Sequence, residues 1–349
     1  MRILLTGHKG YIGAVAGPML KSAGFEVVGL DTDLFAGCDF GGELSSIPEI
    51  RKDIRDLKTS DLKGFDAVVH LAALSNDPLG NLDPHLTFDV NHLASARLAE
   101  LAKQAGASRF VFSSSCSTYG AAGDGFLDES AVLKPVTSYG ASKVLVERDV
   151  TLLADDTFSP TFMRNATAYG VSPRLRLDLV LNDFVAAALT TGRIYIKSDG
   201  TPWRPIVHIR DIISAMICAL QAPREIIHNA IFNVGQTSEN YRISELADIV
   251  AETVPGSRIE YAPGGGPDKR CYRVNCDKVL RALPGFRPQW TARKGAQELL
   301  DAYRAAGLTA EDMNGERYFR ITTIQRLLDA GKLDLSLRWK DAVNDAVAV

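Results

Sequence analysis

The sequence predicts an α/β fold, in which a doubly wound parallel sheet is followed by a smaller C-terminal α/β lobe. Two observations lead to this prediction. Short and almost unbroken apolar runs, typical of parallel strands buried on both faces, alternate with helix-like stretches along the first half of the chain. A glycine-rich loop joins the first of these runs to the first helix-like stretch, as in the βαβ units of such sheets.

The first predicted strand, over residues 2–6, leads directly into the glycine loop at residues 7–13. The first glycine of the loop permits a tight turn, and the second lets the backbone approach a pyrophosphate. The third lets the next helix pack against the sheet, and the free N–H groups at the start of that helix favour an anion. The loop therefore predicts a dinucleotide-binding site formed by Gly7, Gly10, Tyr11, Ile12 and Gly13.

Asp31 strengthens this interpretation, because it stands at the end of the second predicted strand. A helix is predicted over residues 14–23 and a strand over 25–30, which places Asp31 about twenty residues beyond the glycine loop. An acid at this place can bind both hydroxyls of an adenosine ribose. It also repels a 2′-phosphate, so the sequence favours NAD over NADP as the cofactor.

The next segments supply further candidates for the cofactor site. An irregular connection is expected over residues 32–49, and the charged run that follows contains Asp53 and Ile54, at a place that often lies under the adenine. For Asp53, an exposed acid within that run is a nearly equal alternative. A strand predicted over residues 65–71 runs into the small residues Ala72 and Ala73, which would let a cofactor lie against the backbone.

Another helix and another strand follow the turn at residues 75–78. The helix is expected over residues 87–105 and contains Asn91, and the strand is expected over 109–113 and ends in a run of serines. Ligands of doubly wound sheets bind beyond the carboxyl ends of the strands. The glycine loop, Asp31, the two alanines and Ser115 all fall at such ends, so we expect them to surround one site.

A helix predicted over residues 138–154 places Tyr139 and Lys143 on one face, because they are four residues apart. A phenol ordinarily loses its proton near pH ~10. A nearby ammonium and a positively charged nicotinamide favour the phenolate and lower that pKa. Together with a serine hydroxyl from a neighbouring strand end, the pair can move a proton on and off a sugar or alcohol hydroxyl.

The composition is that of an ordinary globular protein. The 349 residues are 46% hydrophobic and 23% charged, and the net charge of −3 argues against binding to nucleic acid or to an anionic membrane. Five scattered cysteines form no C-x-x-C pair, so neither a disulfide framework nor a zinc site is expected. The chain begins with a strand and has no long apolar run, which predicts a cytoplasmic protein without a signal peptide.

Taken together, the motifs resemble the extended short-chain dehydrogenase/reductase family, which includes sugar-nucleotide epimerases and dehydratases. The resemblance implies that Ser115, Tyr139 and Lys143 form a catalytic triad. Tyr139 would be the base or acid, Lys143 would hold the nicotinamide ribose and tune Tyr139, and Ser115 would bind the reacting sugar oxygen. The resemblance covers roughly residues 1–290 and is carried by 6–13, Asp31, 70–73, Asn91, 113–120, Tyr139 with Lys143, 164–170, Asn182, 200–211 and 233–235.

The resemblance also implies how the chain is divided. A Rossmann-type NAD domain is expected over residues 1–165, and part of 205–235 would return to it. Residues 166–204 and 236–349 would form the substrate lobe and a helical C-terminal extension, for which no function is predicted. The expected NAD contacts are Gly7, Gly10, Tyr11, Ile12, Gly13, Asp31, Asp53, Ile54, Leu71, Ala72, Ala73, Asn91, Ser113, Tyr139 and Lys143.

The substrate that the resemblance implies is a nucleoside-diphosphate sugar. Arg204 occupies the place of a phosphate-clamping arginine, whose fork suits phosphate oxygens better than a lysine does. Relatives often carry a second such arginine where this chain has Gly265, and Arg270 or Arg273 is a candidate substitute. Asp211 is expected to cap the next helix, with His208 also structural. The expected substrate contacts are Ser75, Asn76, Ser115, Cys116, Thr167, Asn182, Arg204 and Arg270.

The two residues after Ser115 narrow the expected reaction. Related 4,6-dehydratases have Asp-Glu there, and glucuronate decarboxylases usually have Glu where this chain has Ser117. Cys116 and Ser117 cannot readily supply that acid–base chemistry. Cys116 also stands one position before the reactive cysteine of ketosugar 3,5-epimerase/reductases, so a small buried residue beside the site is its favoured interpretation.

The first expectation is therefore an NAD-dependent epimerase that inverts C4 of an NDP-hexose or a related sugar through a transient 4-keto sugar. A 4-dehydrogenase/reductase or an atypical dehydratase is the second, and a non-catalytic dinucleotide-binding sensor is a remote third. The base, the sugar and the stereochemical outcome stay open. The resemblance also implies a homodimer, in which the helices at 87–105 and 138–154 of two chains pair.

Overall fold

The structure is a computed structural model of the chain, and it describes residues 1–42, 44–75, 77–80, 82–121, 125–264 and 271–340. Two of the expected substrate contacts, Asn76 and Arg270, lie outside the described residues. The strands and α-helices of the described ranges are numbered in chain order.

The strands are mostly short, and seven of them belong to one large sheet. They are β1 (Arg2–Thr6), β2 (Glu26–Asp31), β3 (Glu49–Arg51), β4 (Ala67–His70), β5 (Arg109–Ser115), β6 (Phe126–Leu127), β7 (Ser159–Asn165), β8 (Thr167–Tyr169), β9 (Arg193–Ile196), β10 (Trp203–His208), β11 (Ala230–Val234), β12 (Asn240–Arg242), β13 (Arg258–Tyr261) and β14 (Arg273–Val274).

The helices alternate with the strands, and none in the described part of the chain is long and apolar enough to cross a membrane. They are α1 (Gly13–Ser22), α2 (Asp77–Gly80), α3 (Pro84–Phe88), α4 (Ala94–Gln104), α5 (Ser138–Thr151), α6 (Val180–Thr191), α7 (Ile209–Gln221), α8 (Arg224–Ile227), α9 (Ile243–Thr253), α10 (Asp277–Ala282), α11 (Ala292–Ala305), α12 (Ala310–Asn314) and α13 (Arg320–Asp329). Short 3₁₀ helices span Ile54–Asp56, Thr59–Leu62 and Cys116–Tyr119.

The large sheet has the strand order β11-β7-β5-β4-β1-β2-β3, and every pair in it is parallel. Strands β4 and β7 are buried along their whole length, as expected for strands covered on both faces. The predicted doubly wound α/β fold is therefore confirmed. The order runs outward from β1 in both directions, so the carboxyl ends of β1, β2 and β4 lie side by side at the centre of one sheet edge.

Most predicted elements agree with the structure to within a few residues. The strand predicted over residues 109–113 continues to Ser115, which is therefore the last residue of β5. The helix predicted over residues 87–105 is broken into α3, a π-helical turn at Asp89–Leu93, and α4. The turn contains Asn91, and such turns often accompany functional sites.

Three short sheets lie outside the large one, and two of them form a smaller lobe with several helices, whereas Leu127 and Val274 of the third pack into the core of the large sheet. Strands β8, β10 and β12 form one sheet, β9 pairs with β13, and β6 pairs with β14. Apolar side chains of α6, α9 and α11 fill a second core beside these strands, as shown by buried Val185, Leu246 and Leu299. Strand β11 lies outside this lobe, at the edge of the large sheet.

The C-terminal segment, residues 319–340, packs mainly against the large-sheet side of the molecule. The sequence predicts this segment as part of a helical C-terminal extension. Ile324 and Leu327 of α13 form one apolar cluster with Leu74 and Leu86. The cause is the apolar stripe of α13, which finds a matching apolar surface next to the end of β4.

Candidate active site

A cavity of about 920 Å³ lies at the carboxyl ends of the central strands. Its wall contains Gly7 after β1, Asp31 at the end of β2, Leu71 after β4 and Ser115 at the end of β5. Residues of the smaller lobe, among them Thr167, line the same cavity. Clefts of this size and position are where doubly wound folds bind extended ligands.

The glycine loop can follow its path only because it has no side chains at its turns. Gly7 has φ +74°, and a Cβ there would lie 2.7 Å from the backbone N of Ala72. A Cβ on Gly13 would lie 2.1 Å from the carbonyl O of Gly7. No side chain caps the start of α1, a helix end that favours an anion, although the N–H groups of Ala14 and Val15 already donate to the carbonyl O atoms of Gly10 and Ile12.

Tyr11 and Asn182 join the glycine loop to the smaller lobe. The Tyr11 hydroxyl donates to the carbonyl O of Gly170 at 2.7 Å and accepts from Asn182 Nδ2 at 3.2 Å. Asn182 Oδ1 accepts from the backbone N of Gly170, and its Nδ2 also donates to the carbonyl of Arg176. Tyr11 lines the cavity and Asn182 does not.

The substrate contact expected at Asn182 stays a prediction, and the structure also gives this residue a structural role. Asn182 belongs to the first turn of α6, but its side chain is fully buried. Its amide group already bonds with Gly170, Tyr11 and Arg176, so it fixes the joint between the two lobes.

Asp31 is held in place by backbone groups on both sides of it. Its carboxylate accepts from the N–H of Lys9 and from the N–H of Asp33, both at 2.9 Å. These bonds fix the carboxylate between the glycine loop and the connection after β2, within the cavity wall. Each carboxylate oxygen can accept a further bond, so ribose hydroxyls remain suitable partners.

Asp53 and Ile54 line the cavity further along the same edge. Asp53 caps the short helix at Ile54–Asp56 and binds Arg55 through Nη2 at 2.7 Å. Burial by itself would raise the pKa of Asp53, but the hydrogen bonds and charge of Arg55 hold it below its ordinary value. Asp53 is thus both a member of a charged run and part of the cavity wall.

Leu71, Ala72, Ala73 and Ser75 line the cavity after β4, but Asn91 does not. Asn91 is buried, and its side chain accepts from the backbone N of Leu74 at 2.7 Å and donates to its carbonyl at 3.1 Å. The NAD contact expected at Asn91 stays a prediction. Because the π-helical turn aims this side chain at the backbone of Leu74, Asn91 positions the cavity wall from behind.

The three side chains of the candidate triad line the same cavity. Thr137 caps α5 by accepting from the backbone N of Gly140, which starts the helix immediately before Tyr139. Lys143 Nζ lies 5.7 Å from the centre of the Tyr139 ring and donates to the carbonyl O of Ser113 at 2.8 Å. The Ser115 hydroxyl accepts from the backbone N of Ser117, which fixes its oxygen at the end of β5.

Lys143 is only 3% exposed, and this burial lowers its pKa to about 7, although Glu147 opposes the shift. A lysine so poised can change its charge near neutral pH and thereby alter the acidity of the neighbouring phenol. The buried ammonium also lies 4.5 Å from the centre of the Phe112 ring.

A buried ion pair that no sequence motif indicates supports this arrangement. Glu147 lies one helical turn after Lys143 and binds Arg164 Nη2 at 2.7 Å. The same carboxylate accepts from the hydroxyl of Ser114 at 2.5 Å, which ties α5 to the end of β5. The available signal was the four-residue spacing between Lys143 and Glu147.

Cys116, for which a substrate contact is also expected, is buried next to Ser115. It is 1% exposed, does not line the cavity, and donates its S–H to the carbonyl O of Arg164 at 3.2 Å. Burial raises the pKa of its thiol well above the ordinary value. The interpretation as a small buried residue beside the site agrees with this environment.

Arg204 lines the cavity from β10 and donates to the carbonyl O of Trp203. Arg273, the candidate replacement for a second phosphate clamp, has its guanidinium 3.9 Å from the ring centre of Phe126 and 4.4 Å from that of Trp203. It does not line the cavity. Two arginines that the motifs did not indicate, Arg176 and Arg320, do line it.

His208, and not Asp211, caps the helix that follows β10. The His208 side chain accepts from the backbone N of Arg210. Asp211 lies inside α7 and accepts from the backbone N–H groups of Gln289 and Trp290. Both residues are structural, but the expected cap at Asp211 is wrong because its carboxylate points to a different segment.

Comparisons with known proteins agree with this cavity. A model of the "NAD dependent epimerase/dehydratase family" matches residues 3–235. A UDP-glucose 4-epimerase of Corynebacterium glutamicum is 27% identical over 83% of this chain and 92% of its own length. The UDP-glucuronic acid decarboxylase 1 of Arabidopsis thaliana is 24% identical over 90% of this chain and 72% of its own.

This chain is also similar to the solved structure of a relative with its ligands bound. MoeE5 in complex with UDP-glucuronic acid and NAD is 29% identical, and the match covers 87% of this chain and 99% of MoeE5 with a TM-score of 0.77. The family match covers most of the chain, and the glycine loop and Asp31 suit a dinucleotide. This chain therefore belongs to the NAD-dependent epimerase/dehydratase family of enzymes, and its cofactor is NAD.

Proposed function

We propose that this enzyme is a C4 epimerase of a nucleoside-diphosphate hexose or a related sugar, acting through a transient 4-keto sugar. The observation that carries the proposal is that Tyr139 and Lys143 line the cofactor cavity together. In addition, neither of the two residues that follow Ser115 has a carboxylate. Relatives named UDP-glucose 4-epimerase, such as that of Corynebacterium glutamicum, support the same reaction class.

The chain's own residues supply the proton transfer. Tyr139 removes a proton from the C4 hydroxyl and later returns it, and the Lys143 ammonium favours the phenolate that does so. Ser115 binds the same sugar oxygen through its hydroxyl. NAD supplies the hydride acceptor and donor when it is bound.

The surroundings of Ser115 disfavour dehydration. Loss of the C6 hydroxyl requires an acid for the leaving group and a base for the C5 proton. The Cys116 thiol is buried and turned toward Arg164, and the Ser117 side chain that lines the cavity is a neutral hydroxyl. Proton transfer by Tyr139 is therefore the chemistry that this part of the cavity wall supports.

The smaller lobe completes the proposal on the substrate side. Arg204 and Thr167 line the same cavity as the candidate triad. A single bound substrate can therefore place its diphosphate near Arg204 and its hexose near the triad. We assign cofactor binding to residues 1–165 with β11, and substrate binding mainly to 166–204 and 236–318.

The test is to incubate the NAD-loaded enzyme with separate UDP-, dTDP-, GDP-, ADP- and CDP-hexoses and to identify products by NMR and mass. The proposal predicts, for at least one of them, a product of unchanged mass whose configuration differs only at C4. A product lighter by one water or by one carbon dioxide would refute C4 epimerisation. Tyr261→Phe, which changes a half-exposed phenol outside the cavity, is the control for altered tyrosines.

A further inference from the structure

The C-terminal segment, residues 319–340, contributes to the wall of the cavity although it lies beyond the family match at residues 3–235. Arg320 and Leu337 both line the cavity. The segment is tied to the cofactor side by the indole of Trp339, which donates to the carbonyl O of Thr32 at 2.7 Å. Arg55 donates to the carbonyl O of Ser336 at 2.9 Å in the same region.

Arg320 is the unusual residue of this segment. It is 2% exposed, its Nη2 donates to the carbonyl O of Arg174 at 3.0 Å, and its guanidinium lies 4.0 Å from the centre of the Phe35 ring. Its Nη1 is buried and has no hydrogen-bond partner. Burial lowers the pKa of Arg320 to about 10, and the nearby charge of Arg176 contributes to the shift.

The two neighbouring arginines have carboxylate partners, and Arg320 does not. Arg176 forms two bonds of 2.9 Å with Asp178, and Arg174 lies 3.1 Å from Asp33. Among the residues that the structure describes, no ion pair joins Arg320 to an acid. The charge of Asp178 also acts on Arg320, but its carboxylate binds Arg176. A buried guanidinium that lacks an ion-pair partner is costly, so an anion from outside the chain is its natural partner.

The position of Arg320 indicates the kind of anion. Phe35 belongs to the connection after β2, and Arg176 donates to the hydroxyl of Ser75 after β4 at 3.3 Å. Strand β1 with its glycine loop lies between β2 and β4 in the sheet. In such sheets the diphosphate of a dinucleotide crosses at this loop, between the two nucleoside halves.

We infer that Arg320, beside Arg176, is a diphosphate-binding residue supplied by the C-terminal segment. The planar guanidinium is part of the cavity wall and presents its fork of donors to phosphate oxygens, which it binds through charge-assisted hydrogen bonds. NAD carries one diphosphate, and the substrate carries a second. The inference rests on the proposed function only for that second diphosphate.

The test measures binding and not turnover, so it is independent of which sugar reacts. Titration calorimetry of the full chain freed of nucleotide compares ADP-ribose, which has the diphosphate of NAD, with adenosine, which lacks it. Inorganic pyrophosphate is then titrated onto the NAD-loaded protein, as a probe of the substrate position that does not depend on the base. Three proteins are compared: wild type, Arg320→Gln and the control Arg326→Gln, which changes a half-exposed arginine on the same helix.

If the cofactor diphosphate is the ligand, Arg320→Gln is expected to weaken the binding of ADP-ribose by about 10- to 100-fold and to leave the binding of adenosine almost unchanged. If Arg320→Gln instead weakens the binding of pyrophosphate to the NAD-loaded protein and leaves the affinity for ADP-ribose unchanged, Arg320 binds the diphosphate of the substrate. The inference is overturned if Arg320→Gln binds both probes as the wild type and Arg326→Gln do.

Thermal unfolding separates this role from a purely structural one. If Arg320 binds a diphosphate, Arg320→Gln should melt near the wild-type temperature in the absence of nucleotide. The variant should then gain less stability than the wild type from the probe that it binds more weakly. A structural role predicts equal losses with and without nucleotide, and that result contradicts the inference. If Arg320→Gln does not fold, the same titrations are made with Arg320→Lys, which keeps the charge but loses the guanidinium fork. Unchanged affinity of Arg320→Lys for both probes would overturn the inference.

Discussion

Tyr139 carries the proton in the proposed reaction, so its hydroxyl is the atom to remove. We expect Tyr139→Phe to lower kcat by roughly 10²–10⁴ and to leave substrate binding nearly unchanged, because the ring keeps its shape and loses only the proton-carrying oxygen. Ser115→Ala should be milder, since it removes one orienting bond and not the base. Lys143→Ala should impair both NAD binding and rate. Steady-state kinetics with Tyr261→Phe as control measure this, and near-full activity of Tyr139→Phe would show that the site is misassigned.

Asp183 gives a second prediction, which concerns the pH dependence of stability. It lines the cavity from α6, and burial raises its pKa to about 6. The folded state then holds an extra proton at pH values between the ordinary carboxyl pKa and about 6, so this group's contribution to stability falls as pH rises through that window. Asp183→Asn should therefore stabilise the protein above pH 6, by about 1–3 kcal/mol.

Denaturant unfolding between pH 4 and pH 8 measures this effect, with the exposed Asp156→Asn as the matched control. The wild type should lose more stability than Asp183→Asn as the pH rises through the window. Parallel curves for the two proteins would mean that the Asp183 carboxyl is not held in its neutral form.

The glycine loop and helix α1 act as one element, whose close packing depends on Gly13. A Cβ on Gly13 would meet the carbonyl O of Gly7 and the Cα of His8, at 2.1 and 2.6 Å. Both are backbone atoms, so the loop itself must move. Gly13→Ala should weaken NAD binding at least about tenfold, or ~1.4 kcal/mol, by calorimetry. Gly125→Ala, whose Cβ would meet nothing within 4 Å, is the control, and equal NAD affinity of the two variants would contradict this account.

The elements around the cavity could be predicted because their patterns are local. Apolar strands followed by small or polar residues place Asp31, Ala72 and Ser115 at strand ends without any knowledge of packing. The direction of a side chain within a helical turn is a finer matter. Asn91 and Asn182 are expected to contact ligands, and the structure shows that each also bonds to a backbone segment. Asn91 bonds to Leu74 from a π-helical turn, and Asn182 bonds to Gly170 and Arg176.

The residues that sequence reasoning missed depend on long-range packing. Arg320 reaches the cavity only because α13 folds back onto the apolar surface around Leu74, far away along the chain. Nothing near residue 320 resembles a binding motif. Arg176 lies in an irregular connection, where no periodic pattern indicates which way a side chain points.

The whole molecule is expected to be a homodimer that pairs α4 and α5 of two chains. Leu93, just before α4, is 58% exposed, and Leu152, just after α5, is 79% exposed. Burying such leucines against a second copy would favour association. Light scattering at micromolar concentration should therefore show a dimer. The double variant Leu93→Glu with Leu152→Glu should be monomeric, while Leu335→Glu, a similarly exposed leucine of the C-terminal segment, should remain dimeric; a monomeric wild type would contradict the model.

The fate of the hydrogen at C4 tests the central claim most directly. The substrate identified by the panel is prepared with deuterium at C4 and is converted by the NAD-loaded enzyme, and the product is examined by NMR and mass. Direct return of the hydride predicts a C4 epimer that keeps its deuterium, with no net absorbance of NADH. Loss of the deuterium from C4 of the product, or NADH accumulating in proportion to a ketone, would contradict epimerisation through hydride removed and returned at the same carbon.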